Sequence, residues 1–151
     1  MKLFKRPAVA ASALVAAMSV APMSVTAYDL TILHINDHHS HLKSNRLDLK
    51  LDGKRTRVAA GGMPAVKAAI DRLSSASSNV VKLHAGDAIT GDLYYTLFKG
   101  EADAALMNTV CFDAFALGNH EFDDGDAGLV KFLDHLHSGA CKTPVLSLIH
   151  I

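Results

Sequence analysis

The stretch that decides the fold is GNHEFD at residues 118–123, which directly follows the apolar run Ala114–Leu117. This order predicts a buried strand that opens into a loop at its carboxyl end. Polar and charged groups are costly to bury at such a place unless they act together. They make chemical sense if Asn119 holds a cation, His120 works on a substrate and Asp123 orients that histidine. Taken alone, the stretch would also fit a polar turn with an asparagine cap.

Two further polar motifs follow apolar runs upstream, and each places an acidic residue at the end of a predicted strand. The first is NDHH at residues 36–39, after LTILHI at residues 30–35. The second is Gly86-Asp87, after the apolar run Val80–His84. Open α/β sheets bind their ligands at the carboxyl ends of strands. Three such ends in one chain favour a ligand site over three unrelated polar turns.

The acidic residues and a histidine in these motifs are the candidate metal ligands. Asp37 and His39 are two residues apart, so in an extended backbone both side chains would leave from the same face and share a metal ion. Asp37 and Asp87 would repel each other by about 4 kcal/mol at 4 Å and an effective dielectric constant of 20. We therefore expect Asp37, His39, Asp87 and Asn119 to meet at one point and to hold cations.

In these motifs and their order, the chain resembles the calcineurin-like metallophosphoesterases, and within them the secreted 5'-nucleotidase family. The resemblance runs from about Leu30 to Ser147. It implies an α/β fold, namely the amino-terminal part of a metallophosphoesterase-type αββα sandwich. It also implies that residues 28–151 are the amino-terminal part of a catalytic domain that continues further in the family. Residues 147–151 are in addition similar to translated adapter sequence.

The resemblance implies a centre with two divalent metal ions, zinc or manganese. By it, Asp37 and His39 ligate one metal, Asp87 bridges the two, and Asn119 ligates the second.

The same resemblance makes His120 and Asp123 the catalytic pair. The implied reaction is hydrolysis of nucleoside 5'-monophosphates by metal-activated water. Four alternatives remain open at this point. Three keep the metal centre but change the substrate, giving a pyrophosphatase for NAD or nucleotide sugars, a cyclic-nucleotide phosphodiesterase, or a sulfate-ester relative. The fourth is an inactive fragment.

The amino terminus is typical of a secretory signal over residues 1–27. Three basic residues in the first six positions precede the apolar segment Ala8–Val20, and small residues stand before Tyr28. Cleavage there would leave 12 basic and 15 acidic residues, a net charge of −3. That balance gives no basic excess that would indicate a nucleic-acid partner. We expect a periplasmic or secreted protein with no membrane span after cleavage and a nucleotide as its substrate.

The only cysteines are Cys111 and Cys141. Export would permit a disulfide between them, and the sequence leaves their pairing open.

Strand and helix patterns alternate along the chain, which predicts βαβ units and a largely parallel sheet. Between the first strand and the first helix, Asp52-Gly53 predicts the turn of a hairpin. We predict a core position for His84 and a position for His38 away from the ligands. The remaining predicted elements are a hairpin at Arg46–Val58, a helix with Met63, Val66, Ile70 and Leu73 on one face, a helical stretch at Leu93–Val110 interrupted at Gly100, a helix capped by Asp126 that buries Leu129, Phe132, Leu133 and Leu136, and a strand at Pro144–Ile149.

We predict that the 151-residue chain alone has little or no phosphatase activity. In the family that the chain resembles, the remaining histidine ligands and the nucleoside-binding domain lie downstream of the region that this sequence matches. Losing the groups that orient a substrate removes a contribution that reaches about 7–11 kcal/mol. The measurement is phosphate release from AMP by residues 28–151 and by a chain extended through the native downstream sequence. Comparable rates from the two would contradict the prediction.

Overall fold

The computed structural model describes residues 27–141 and 145–146. The signal predicted at residues 1–27 therefore lies outside the described residues, apart from its last residue, and most of the last predicted strand does too. Within the described part of the chain, no helix is both long and apolar enough to cross a membrane.

Strands and helices alternate as the sequence predicts, and the two helices predicted around Gly100 are separate. In chain order the elements are β1 (Thr31–Ile35), β2 (Asn45–Leu51), β3 (Lys54–Ala60), α1 (Met63–Ser75), β4 (Val80–His84), α2 (Leu93–Phe98), α3 (Glu101–Val110), β5 (Ala114–Ala116), a 3-10 turn (His120–Phe122), α4 (Gly125–His137) and β6 (Val145–Leu146).

Among the described residues, the main sheet has four parallel strands in the order β1-β4-β5-β6. Ile35 pairs with His84, and His84 pairs with Phe115, so β1, β4 and β5 end close together at one edge. This arrangement confirms the predicted α/β fold class. It also brings the three loops that carry the predicted site residues to the same side of the sheet.

The predicted hairpin is confirmed as a separate antiparallel sheet of β2 and β3. Leu51 pairs with Lys54 across the turn, and Asp52 and Gly53 have φ angles of 47° and 78°. Two positive φ angles in a two-residue loop are what a tight hairpin turn requires, and Asp-Gly is a preferred pair for it.

The core lies between the sheet and the helices, where α3 packs against both α1 and α4. Phe115 of β5 meets Phe132 of α4 edge to face, with ring centroids 6.0 Å apart. Leu136 is fully buried beside them, as the helical spacing predicts. The predicted cap is wrong: α4 begins at Gly125 with Asp124 at the N-cap, which places Asp126 inside the first turn.

At the edge of the sheet formed by β1, the apolar side chains are left uncovered. Ile32 is 55% exposed, and Leu73 in the last turn of α1 is 44% exposed beside it. Leu73 therefore lies at an uncovered end of the predicted apolar face. The periodicity of α1 identifies its apolar face correctly, but β1 is the outermost strand among the described residues and does not cover the end of that face.

The two cysteines form a disulfide that links the end of α3 to the segment after α4. Cys111 is the C-cap of α3, and its Cα lies 5.1 Å from that of Cys141. A cross-link over 30 residues stabilises the folded state by roughly 3–4 kcal/mol in the chain-entropy treatment.

His84 occupies the core position that the sequence predicts. It is 1% exposed, and Phe112 and Phe115 contact its ring edge to face. Burial, and next the proximity of His38, lowers the pKa of His84 to about 3. The imidazole is therefore neutral in the folded protein at ordinary pH.

The depressed pKa of His84 predicts a loss of stability in acid. Between about pH 6.5 and pH 3 the unfolded chain binds a proton at this residue that the folded chain does not bind. The free energy of unfolding should therefore fall with decreasing pH in this window, by up to about 1.4 kcal/mol per pH unit, and should not depend on His84 above it. Urea unfolding of the whole chain between pH 5 and pH 7 measures this slope. His84→Asn should flatten it, whereas the exposed-site control His137→Asn should keep the full slope of the unaltered chain. Equal slopes for the unaltered chain and both variants would contradict a depressed pKa at His84.

Candidate metal centre

The loops after β1 and β4 are joined backbone to backbone below the candidate site. Three hydrogen bonds join them: the amide of Asp37 donates to the carbonyl of Gly86 at 3.0 Å, that of His39 to Asp87 at 3.2 Å, and that of Ser40 to Ala88 at 2.9 Å. The two loops therefore behave as one platform that carries the predicted ligands.

Three predicted ligands on this platform have left-handed backbone conformations. The φ angles are 51° at Asp37, 44° at His39 and 52° at Asp87. Non-glycine residues rarely adopt this region, and each instance costs about 1–3 kcal/mol. The extended backbone predicted for Asp37 and His39 is therefore wrong, because β1 ends at Ile35. Their side chains meet all the same, with His39 Nε2 3.7 Å from Asp37 Oδ1.

The three loops bring a cluster of metal-binding side chains together. His39, Asp87 and His120 each offer one ligand atom, and these atoms all lie within 4.8 Å of one another. The rings of His39 and His120 meet edge to face, with centroids 4.9 Å apart. Imidazole nitrogens combined with carboxylate oxygens suit zinc, manganese or iron.

The electrostatics of the cluster also fit a cation. Asn36 donates a hydrogen bond to Asp37 and lowers the pKa of that carboxyl, and the proximity of His39 lowers it further. Within the described part of the chain, no lysine or arginine forms an ion pair with Asp37 or Asp87. A divalent cation would supply the positive charge that these carboxylates lack.

His120 is held by the second predicted catalytic residue. Its Nδ1 lies 2.7 Å from Asp123 Oδ2. This hydrogen bond raises the pKa of His120, with smaller contributions from the charges of Asp123, Asp87 and Glu121. Because Asp123 accepts from Nδ1–H, the other ring nitrogen, Nε2, is left for a substrate or a metal ion. The structure thus places His120 inside the ligand cluster, a position that fits either role.

Asn119 immediately precedes the 3-10 turn, and its side chain is exposed. Its role as a ligand stays a prediction.

Glu121 has a role that the sequence reasoning missed. Its side chain is 1% exposed, and its carboxylate accepts three backbone hydrogen bonds. The donors are the amides of Asp87 at 3.0 Å, Ala88 at 2.7 Å and Gly118 at 2.5 Å. Glu121 therefore ties the loop after β5 to the platform. The sequence signal for this role is weak, since an acidic residue in a polar loop is ordinarily exposed.

The glycines of the predicted motifs allow the loops to approach this closely. A Cβ atom on Gly118 would lie 2.6 Å from the amide nitrogen of Asp87, and one on Gly86 would lie 2.6 Å from that of Gly118. The same approach lets the amide of His120 donate to Asp87 Oδ1 at 2.9 Å. The absence of a Cβ atom at Gly86 and Gly118 thus allows His120 to lie next to Asp87.

Comparison with known proteins identifies the class of this domain. A sequence profile of the calcineurin-like phosphoesterase family matches residues 30–148, and the chain belongs to that family. A probable 5'-nucleotidase of Treponema pallidum is 54% identical over 120 residues, which cover 80% of this chain and 19% of that protein.

Two solved structures share the fold. Haemophilus influenzae NAD nucleotidase superposes with a TM-score of 0.72 at 53% identity, covering 78% of this chain and 20% of that one. A 5'-nucleotidase precursor from Thermus thermophilus superposes with a TM-score of 0.67 at 36% identity, covering 78% of this chain and 22% of that one. The chain spans about a fifth of the length of these relatives.

Glu121→Gln is expected to destabilise the protein by about 3 kcal/mol. A glutamine side chain has one acceptor oxygen and turns its NH₂ group toward backbone donors, so buried amides of Asp87, Ala88 or Gly118 lose their partner. Urea unfolding at pH 7 measures the loss. Glu101→Gln, at an exposed position in the first turn of α3, is the matched control and should change stability by less than about 1 kcal/mol. Equal midpoints for the two variants would refute the role of Glu121.

Proposed function

We propose that this chain is part of an exported 5'-nucleotidase that hydrolyses nucleoside 5'-monophosphates with the help of two divalent metal ions. The observation that carries the proposal is the convergence of His39, Asp87 and His120 beside Asp37 at the carboxyl edge of a parallel sheet. The resemblance of the chain to the Treponema pallidum and Thermus thermophilus proteins supports the substrate class.

In this proposal, four residues hold the metal ions. Asp37 and His39 would hold one ion, Asp87 would be shared by the pair, and Asn119 would give a neutral oxygen to the second. When bound, such a pair of ions lowers the pKa of a coordinated water and neutralises charge on phosphoryl oxygens. Zinc and manganese are the proposed metals, because the ligand set mixes nitrogen and oxygen donors.

The protein's own residues provide the remaining steps. Asp123 holds the hydrogen on Nδ1 of His120, which directs Nε2 as a donor toward the phosphoryl group or the leaving oxygen. The raised pKa of His120 favours the protonated imidazole that such a donor needs. As the ester bond breaks, His120 stabilises the negative charge that develops on oxygen or supplies its proton to the leaving group.

We also propose export to the periplasm or the medium. The basic and apolar pattern at the amino terminus supports it. The disulfide between Cys111 and Cys141 is consistent with an oxidising compartment.

A second candidate function uses the same centre on a different bond. The similarity to Haemophilus influenzae NAD nucleotidase favours a pyrophosphatase that cleaves between the two phosphates of NAD. Both reactions are displacements at phosphorus and use the same ligand residues. Assays of the natural gene product with AMP and with NAD separate the two. A strict 5'-nucleotidase releases phosphate from AMP and leaves NAD intact, whereas a pyrophosphatase converts NAD into two mononucleotides.

His120→Ala in the gene product that carries this sequence is expected to lower kcat for AMP by 10²–10⁴-fold. Asp123→Ala should lower it in the same direction by a smaller factor, because the imidazole remains but is no longer oriented. Metal content, measured by mass spectrometry after dialysis, should be unchanged in both.

His137→Ala, at an exposed position in the last turn of α4, is the matched control for removal of an imidazole and should leave both kcat and metal content unaltered. If His120→Ala instead emptied the metal centre, His120 would be a ligand rather than a catalytic group.

A further inference from the structure

A buried chain of hydrogen bonds runs beneath the ligand loops and does not touch the metal-binding side chains. Asp103 in the first turn of α3 is fully buried, and its Oδ1 lies 3.2 Å from His38 Nε2. His38 Nδ1 lies 2.9 Å from His84 Nε2, and His84 Nδ1 accepts from the amide of Gly86 at 3.2 Å. The side chain of His38 is 9% exposed.

The order of donors and acceptors fixes the tautomers of both histidines. Because Gly86 donates to Nδ1 of neutral His84, the hydrogen of that ring is on Nε2 and is donated to His38. His38 therefore accepts at Nδ1 and donates from Nε2 to Asp103. Every ring nitrogen in this Asp103–His38–His84 network has one partner with the right polarity.

The network includes one residue from each of the two loops that carry the predicted ligands. His38 lies between Asp37 and His39 in the chain, and Gly86 directly precedes Asp87. The side chain of His38 is buried against His84 and Asp103, away from the ligand cluster as the sequence predicts, while its two neighbours in the chain reach that cluster. The backbone is left-handed at Asp37, His39 and Ser40, and such conformations persist only where surrounding contacts hold them.

A contribution to stability does not explain why a carboxylate is buried at position 103. Its Oδ2 is buried without a hydrogen-bond partner among the described residues. A buried carboxylate with one partner is more costly than an apolar side chain of similar size. Such a group is expected where it positions something.

We propose that Asp103, His38 and His84 are positioning residues that hold the loops after β1 and β4 in the conformation that presents Asp37, His39 and Asp87 to a metal ion. The reference to a metal rests on the proposed function. The positioning itself concerns only the residues of this chain and is tested without metal.

The first test is hydrogen exchange of the full chain, metal-free, followed by NMR. The amides of Asp37, His39 and Ser40 form the bonds that join the two loops and therefore report their docking. His38→Gln keeps a donor near the position of Nε2 but loses the acceptor for His84. It should speed exchange of these three amides about tenfold while Phe132 and Leu136 in α4 keep their rates. His137→Gln, at an exposed position, should change none of them.

A conservative variant separates positioning from a general loss of packing. Asp103→Asn keeps an oxygen acceptor for His38 and should hold the loop amides within about threefold of the unaltered chain. Asp103→Ala removes the acceptor and should match His38→Gln. Unchanged loop exchange in His38→Gln and Asp103→Ala would overturn the proposal. Equal acceleration of the α4 amides would also overturn it, by showing that the network supports the whole core rather than the loops.

A second readout is Co²⁺ binding by the gene product that carries this sequence, followed by its visible absorption and by titration. Loss of residues that orient metal ligands typically weakens affinity by 10–100-fold, so we expect a reduction of that size in His38→Gln and an affinity close to that of the unaltered protein in Asp103→Asn. If the unaltered gene product bound no Co²⁺, the metal centre of the proposed function would fail, and the exchange rates would still decide the positioning role. Unaltered Co²⁺ affinity in His38→Gln would overturn the link between the network and the ligands.

Discussion

One buried carboxylate is the constraint on which the site depends. Glu121 accepts the amides of Asp87, Ala88 and Gly118, so a single side chain joins the loop after β5 to the loop after β4. Three backbone donors aimed at one carboxylate form charge-assisted hydrogen bonds, which are stronger than neutral ones. His120 is adjacent to Glu121 in the chain, and its approach to Asp87 follows from this clamp. The clamp itself consists only of protein groups, one carboxylate and three backbone amides.

Much of the fold follows from patterns of residue type. Apolar runs ending in polar motifs predict the strands β1, β4 and β5, and Asp52-Gly53 predicts the hairpin turn. These succeed because the burial of strands and the requirements of tight turns are local properties of the sequence. How deeply a residue on such a face is buried depends on a neighbour and is not a local property. Leu73 lies on the correct face of α1, but it extends along an outer strand that does not cover it.

The site shows the same division between local and non-local information. That Asp37, His39 and Asp87 would meet follows from the parallel order of strands, and the structure places them together. The left-handed conformation of these residues does not follow, because propensity argues against it and only the surrounding contacts impose it. The role of Glu121 likewise cannot be predicted from the sequence, because its partners are backbone amides, which are present at almost every position of any sequence.

The open edge of β1 has a consequence for handling the isolated chain. Backbone donors and acceptors on the outer side of Thr31–Ile35 have no strand partner among the described residues, and Ile32 beside them is exposed. Such an edge is a template on which a second molecule adds a strand. In concentrated solution the chain would therefore associate through its first strand, and a lysine or proline introduced on that edge would slow the association without reaching the ligand loops.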